Sequence, residues 1–222
     1  MSVITISREF GSGGSVIAQK VSKALDYHLV DKEFIGEVLS QYGLVEFDKE
    51  YDSLPSFWEK FDAQKEARRD MMVKMLNRVV RAVAHHGNVV ILGRSGFVIL
   101  DKYIDVLHVR VKAPFYFRVR QVMRQQNITA YQAEDMVEQG DRVRTAFIKS
   151  FYGVEKDLTR SFDLLINTAK ITPDLASTWI ITATQALSAQ EIESTVDTTA
   201  SIEVESILAT AVAEKLATLD LR

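Results

Sequence analysis

The chain has no cysteine, which excludes disulfides, thiolate nucleophiles and cysteine-ligated metals. It has only 4 histidines, none spaced as H-x-x-x-H or H-E-x-x-H, so no zinc site of the usual kind is expected. No apolar run approaches the roughly 20 residues needed to span a bilayer. No basic segment followed by an apolar one opens the chain. A cytoplasmic protein without a membrane partner is therefore expected. Neither sign of charge dominates: the net value of −3 gives no general attraction for nucleic acid. The basic face of residues 65–81 is diluted by Glu66 and Asp70 and lacks interleaved aromatics, so no nucleic-acid groove is expected there either.

What is present is concentrated near the start. A β-branched run, Val3 to Ile6, ends in a glycine-rich turn, and a helix follows with Ile17, Val21, Ala24 and Leu25 at helical spacing. Strand, glycine loop and helix together cradle phosphate, because backbone N–H groups converge on it and the helix N-terminus adds partial positive charge. The P-loop form is G-x-x-x-x-G-K-[ST]. Here Arg8 stands at the first glycine, Gly13 at the second, Gly14 in place of the lysine, and Ser15 keeps the hydroxyl. The missing lysine removes one charge that would neutralise a transferring phosphoryl group. Arg8, within the loop, is a better placed substitute than Lys20, which lies further along the helix. A glycine-rich turn without a ligand is the alternative.

Apolar runs and helical patterns then alternate. Strands are predicted at 3–7, 27–30, 89–92, 105–111 and 163–166. Helices are predicted from the loop to about 25, from the Asp31 cap to about 43, and from 57 to 86. Others follow Pro114, run from the Thr129/Gln132 capping box to about 139, and run from Thr172-Pro173 to about 187. Buried strands alternating with helices predict an α/β fold with a parallel sheet. Residues 188–201 read as a linker, and residues 202–222 as a helical appendage that either docks on the core or makes a homo-oligomer.

Several charged groups stand where strands end. Gly93-Arg94-Ser95-Gly96 follows a buried strand, where open parallel sheets bind ligands, although a surface turn fits too. Asp31 is a helix cap, a magnesium or substrate contact, or both. Arg118, Arg142 and Arg144 are suited to closing on phosphates, since guanidinium forks stabilise transferring charge. Interspersed acids such as Glu134, Glu138 and Asp141 leave open a merely solvated, paired face.

Taken in order, these segments resemble the cytidylate kinase-like branch of the P-loop nucleoside monophosphate kinases. The resemblance rests on Ile-Thr-Ile-Ser-Arg-Glu-Phe-Gly-Ser-Gly-Gly at 4–14, Val-Asp-Lys-Glu-Phe-Ile at 30–35 and Gly-Arg-Ser-Gly at 93–96. It continues through Lys-Ala-Pro at 112–114 with Arg118, Asp-Arg-Val-Arg at 141–144 and Leu-Leu-Ile-Asn-Thr at 164–168, and it covers about 1–187. It implies a three-layer P-loop NTPase fold with a helical lid at about 124–151 and an acceptor-binding part at about 31–81. It also implies ATP and Mg²⁺ as cofactors. Arg8, Gly11, Ser12, Gly13, Gly14 and Ser15 would hold donor phosphates, with Ser15 also on the metal. Arg118, Arg142 and Arg144 would stabilise transferring charge, and Asp31 and Arg94 would address the acceptor. The chain departs from the family pattern at Gly14, at Ser95, where cytidylate kinases carry an acid that reads cytosine, and in lacking an arginine between Phe34 and Leu39. The function expected is ATP-dependent phosphoryl transfer to a small nucleoside monophosphate, CMP- or dCMP-like first. The alternatives are a non-catalytic nucleotide-binding module and a kinase for another small acceptor.

Overall fold

Five short apolar strands form one parallel sheet in a computed structural model that describes residues 2–42, 63–153, 158–191 and 196–219. The strands are β1 (Val3–Arg8), β2 (His28–Val30), β3 (Val89–Leu92), β4 (Val106–Lys112) and β5 (Leu164–Asn167), in the order β2-β3-β1-β4-β5. Thr5 stands beside Ile91 on one side and His108 on the other, and Ser7 beside Arg110. The helices are α1 (Gly14–Leu25), α2 (Lys32–Gln41), α3 (Ala63–His86) and α4 (Gly96–Ile99), followed by α5 (Phe115–Gln126), α6 (Ala130–Tyr152), α7 (Pro173–Ser188) and α8 (Ser206–Ala217). The expected helix start at 57 lies outside the described residues.

Alternation along the strands sends apolar side chains to both faces and makes three layers. Ile4, Ile6, Val109 and Val111 pack against Ile17 of α1 and Ile180 of α7. On the opposite face Val3, Val89 and Ile91 pack against Leu39 of α2 and Leu76 of α3. Ile4, Ile17, Leu39, Leu76 and Ile180 have no exposed surface, and each such side chain contributes about 1.5–3 kcal/mol. A smaller cluster, Val119, Val122, Ala133 and Val137, joins α5 to α6 with Phe10 against it.

Caps set several helix starts. The Asp31 carboxylate accepts from the Glu33 and Phe34 N–H groups, and Thr129 and Gln132 form the capping box that opens α6. That helix continues to Tyr152, well beyond the expected end near 139. Phe147, in the last third, is 2% exposed and packs among the α2 and α3 side chains, with Val143 and Phe151 against the same cluster; this stripe carries the helix on through Gly140.

The C-terminal segment docks on its own core. Asp105 accepts from the Thr199 N–H at 2.8 and 3.0 Å and from its hydroxyl at 2.5 Å. Thr199, within the stretch expected as a linker, is 2% exposed. Leu208, Val212 and Leu216 of α8 join the α2/α3 side of the core, and Lys215 pairs with Glu37 of α2. No helix of the described residues is long and apolar enough to cross a membrane.

Candidate active site

The loop after β1 owes its shape to glycines at two points. Gly13 has φ 80° and serves as the N-cap of α1, and a side chain there would project into open space. Gly11, at φ 74°, lies so close to α5 that a Cβ would come within 2.8 Å of Val122. The first N–H of α1 to find a helical acceptor is that of Ile17, bonded to the Gly13 carbonyl. The N–H groups of Gly14, Ser15 and Val16 therefore have no acceptor within the helix and face the mouth of the loop. Ser15 is exposed in that first turn. Ser12 is placed differently: its hydroxyl donates to the carbonyls of Glu9 (2.8 Å) and Val111 (3.3 Å), and its own carbonyl accepts from Thr168. Its side chain braces the loop from below.

Arg8 stands close to the position of the missing lysine. A Cβ on Gly14 would stand 2.6 Å from the Arg8 Cβ and 3.0 Å from its Cγ. The Arg8 side chain thus occupies the space that a side chain at position 14 needs. Its guanidinium ends against Gly93, where an added Cβ would overlap Nη1 and lie 3.1 Å from Cζ. Arg8 therefore runs from the glycine loop to the turn after β3. That turn is strained: Gly93, Arg94 and Ser95 are all left-handed, at φ 77°, 49° and 56°. Two non-glycine residues held there cost on the order of 1 kcal/mol or more each. Arg94 and Ser95 are both buried, at 4% and 5% exposed.

The lid meets the loop through one ion-pair network. Arg118 Nη1 donates to Asp141 Oδ2 at 2.6 Å and to the Phe10 carbonyl at 3.0 Å. Arg118 Nε donates to the Ala113 carbonyl and lies 3.4 Å from Glu9 Oε2. Asp141 also accepts the Phe10 N–H at 3.0 Å. Phe10 packs closely on Gly140, where a Cβ would meet its side chain at 3.0 Å, and the Arg144 guanidinium lies 5.5 Å from its ring centre. The structure therefore brings Arg118 and Arg144 to the loop, but Arg118 is 6% exposed and engaged with protein acceptors. Arg142 is not brought in: it is on the outer face of α6, with 65% of its side chain exposed and Glu138 4.0 Å away. One oxygen of the Asp31 carboxylate, Oδ1, accepts both hydrogen bonds that cap α2.

Sequence reasoning missed Glu9, Phe10 and Arg110. Arg110, half-buried on β4, donates from Nη1 to the Ser7 hydroxyl at 2.7 Å. Burial lowers its pKa from the usual arginine value; Glu9 and Asp141 oppose that, while Arg144 and Arg118 reinforce it. The available signal was the strand itself. His108, Arg110 and Lys112 alternate with Leu107, Val109 and Val111, marking one face of a central strand as polar.

A glycine loop joining the central strand of a β2-β3-β1-β4-β5 parallel sheet to a helix, with a helical pair folded over it, defines a P-loop protein of the kinase type. The model of the cytidylate kinase-like family matches residues 3–170, and the chain belongs to that family. It is 27% identical over 177 residues to a cytidylate kinase of Ignicoccus hospitalis, covering 78% of this chain and 94% of that one. It is 25% identical over 192 residues to a cytidylate kinase of Halobacterium salinarum, covering 86% and 93% respectively. A solved structure of an uncharacterized protein from Eubacterium ventriosum shares the fold with TM-score 0.63 at 19% identity, covering 86% of this chain and 100% of that one. Family membership supports nucleotide binding and phosphoryl transfer of the nucleoside monophosphate kinase type.

Proposed function

We propose that the chain transfers the γ-phosphoryl of ATP to a small nucleoside monophosphate, with CMP and dCMP as first candidates. The observation that carries this reading is the course of Arg8. Its Cβ and Cγ stand where a side chain at position 14 would begin, and its guanidinium reaches Gly93 at the start of the Gly93–Gly96 turn. A charge there faces the group that moves.

In this reading the N–H groups of Gly14, Ser15 and Val16 hold the donor phosphates, with Gly11 and Gly13 shaping the loop and Ser12 bracing it. The acceptor's phosphate oxygen attacks the γ-phosphorus and the bond to the β-phosphate bridging oxygen breaks. The attacking oxygen is already ionised, so no general base is needed. Arg8 and Arg144 stabilise the equatorial charge, Arg118 positions the loop against the lid, and Arg94 addresses the acceptor. Arg142 reaches the phosphates only if the lid moves. The donor set suits magnesium held mainly by the nucleotide: the Ser15 hydroxyl is exposed, and the described residues contain no group of three or more His, Cys, Asp or Glu side chains that would form a cage. Magnesium, when bound there, neutralises phosphate charge.

The absent lysine favours a second reading, a nucleotide-binding module without turnover. A coupled ADP-release assay across nucleoside monophosphates, with ATP binding followed by calorimetry, separates the two. ATP binding without turnover on any acceptor selects the module. With turnover, Arg8→Ala is expected to remove most of it.

A further inference from the structure

Arg110 is a half-buried cation whose charge the protein does not pair. Its guanidinium carries five N–H donors. One is engaged by Ser7, and the Phe162 ring lies 6.0 Å away. No carboxylate of the described residues is within ion-pair distance of it. The two nearest in charge, Glu9 and Asp141, are both engaged by Arg118.

Its side of the sheet says which ligand it meets. The donor helix α1 packs on the face formed by Ile4, Ile6, Val109 and Val111. Arg110 alternates with Val109 and Val111 and so projects to the other face, in line with Ser7 and Thr5. The Gly93–Gly96 turn crosses that same face, with Gly96 against Thr5. We infer that Arg110, oriented by Ser7, binds the oxyanion of the phosphoryl acceptor, specifically its phosphate monoester. This rests on the phosphotransfer reading above. A guanidinium half-removed from water with free donors suits that ligand, because two parallel N–H groups match two phosphate oxygens.

The test uses the full chain and calorimetry, so that turnover is not the readout. CMP and a non-hydrolysable ATP analogue are titrated into the parent, Arg110→Met and Arg110→Lys. CMP binding is expected to weaken about 10- to 100-fold in Arg110→Met, the loss of a charged hydrogen-bond pair. The ATP analogue is expected to stay within about twofold of the parent. Arg110→Lys recovers part of the CMP affinity, and in the parent that affinity falls with added salt more steeply than in Arg110→Met. Should Arg110→Met fail to fold, Ser7→Ala replaces it and is expected to weaken CMP binding with the analogue unaffected. Unchanged CMP affinity, or equal losses for both ligands, overturns the inference. If the parent binds no CMP, the same series is run with inorganic phosphate and with acetate. Phosphate binding lost in Arg110→Met, with acetate ignored, then upholds the oxyanion site while the nucleotide reading fails. No binding of either probe, or acetate bound as well as phosphate, overturns it.

Discussion

Two arginines flank the phosphate loop, and their surroundings differ in kind. On the lid side Arg118 is buried with Glu9 and Asp141 and donates to two carbonyls, a network that ties β1, α5 and α6 together. On the other side Arg110 has one hydroxyl partner and no carboxylate. A buried cation that the protein satisfies is part of the framework. One without an ion pair keeps donors for a ligand, because Glu9 and Asp141 offset its partial desolvation only from a distance. The motif residue Arg118 is thus fully engaged by protein acceptors in this structure, and the strand residue Arg110 is the proposed binder.

The largest expected effect tests that contrast. Arg118→Met leaves Glu9 and Asp141 as partly buried carboxylates without a cation. It should cost about 3 kcal/mol, the low end for breaking a buried pair because both acids keep some solvent contact. Arg110→Met orphans no carboxylate and should change stability by under about 1 kcal/mol. Urea denaturation of both variants measures the difference, and similar losses would break the comparison.

Next comes the crowding between Arg8 and position 14. Gly14→Ala places a Cβ against the Arg8 Cβ and should destabilise by about 1–3 kcal/mol. In an Arg8→Gly background the same change should be nearly neutral. Gly14→Lys should follow the same pattern, losing turnover alone and regaining it when Arg8→Gly frees the space. Additive effects in this cycle would refute the idea that the two side chains compete for one volume.

How much of this was legible beforehand depended on range. The strands were readable because strands buried on both faces are continuous apolar runs, as Val89–Leu92 is. The glycine loop was readable because its signal is local. The role of Arg118 was not, because its partners Glu9 and Phe10 lie more than a hundred residues away in sequence and meet it only once β1 and β4 pair. Arg110 hid inside a strand whose apolar half dominates its pattern. Arg142 and Arg144 read alike in sequence, and only the helix phase of α6 separates the one facing solvent from the one over Phe10.

The α2/α3 side of the sheet has its own framework, in the C-terminal segment. Asp105→Ala removes the acceptor for three Thr199 contacts at a buried site, with an expected loss of about 1–3 kcal/mol. Because Asp105 anchors the segment leading to α8, which packs on α2 and α3, amide exchange in residues 196–219 should speed up before that in the donor loop. Equal acceleration in the donor loop would show that the two sides of the molecule are not separable in this way.

The smallest effect concerns His108, which shares the polar face with Thr5 and Arg110. Its Nδ1 lies 2.7 Å from the Thr5 hydroxyl, and its backbone N–H donates to Asp163. Burial lowers its pKa below the ordinary 6.5, with Asp163 and Asp101 pulling the other way. The folded imidazole therefore takes up a proton less readily than the unfolded one. Its contribution to stability is fully present above pH 6.5 and is lost as the pH falls from there toward the lower, folded-state pKa. His108→Asn keeps a polar group near Thr5 without the titration. Unfolding free energies measured from about pH 7 to 5 should fall more steeply for the parent than for this variant. Parallel curves would mean that His108 keeps its ordinary pKa despite its burial, and that the polar face below Arg110 is wetter than its packing implies.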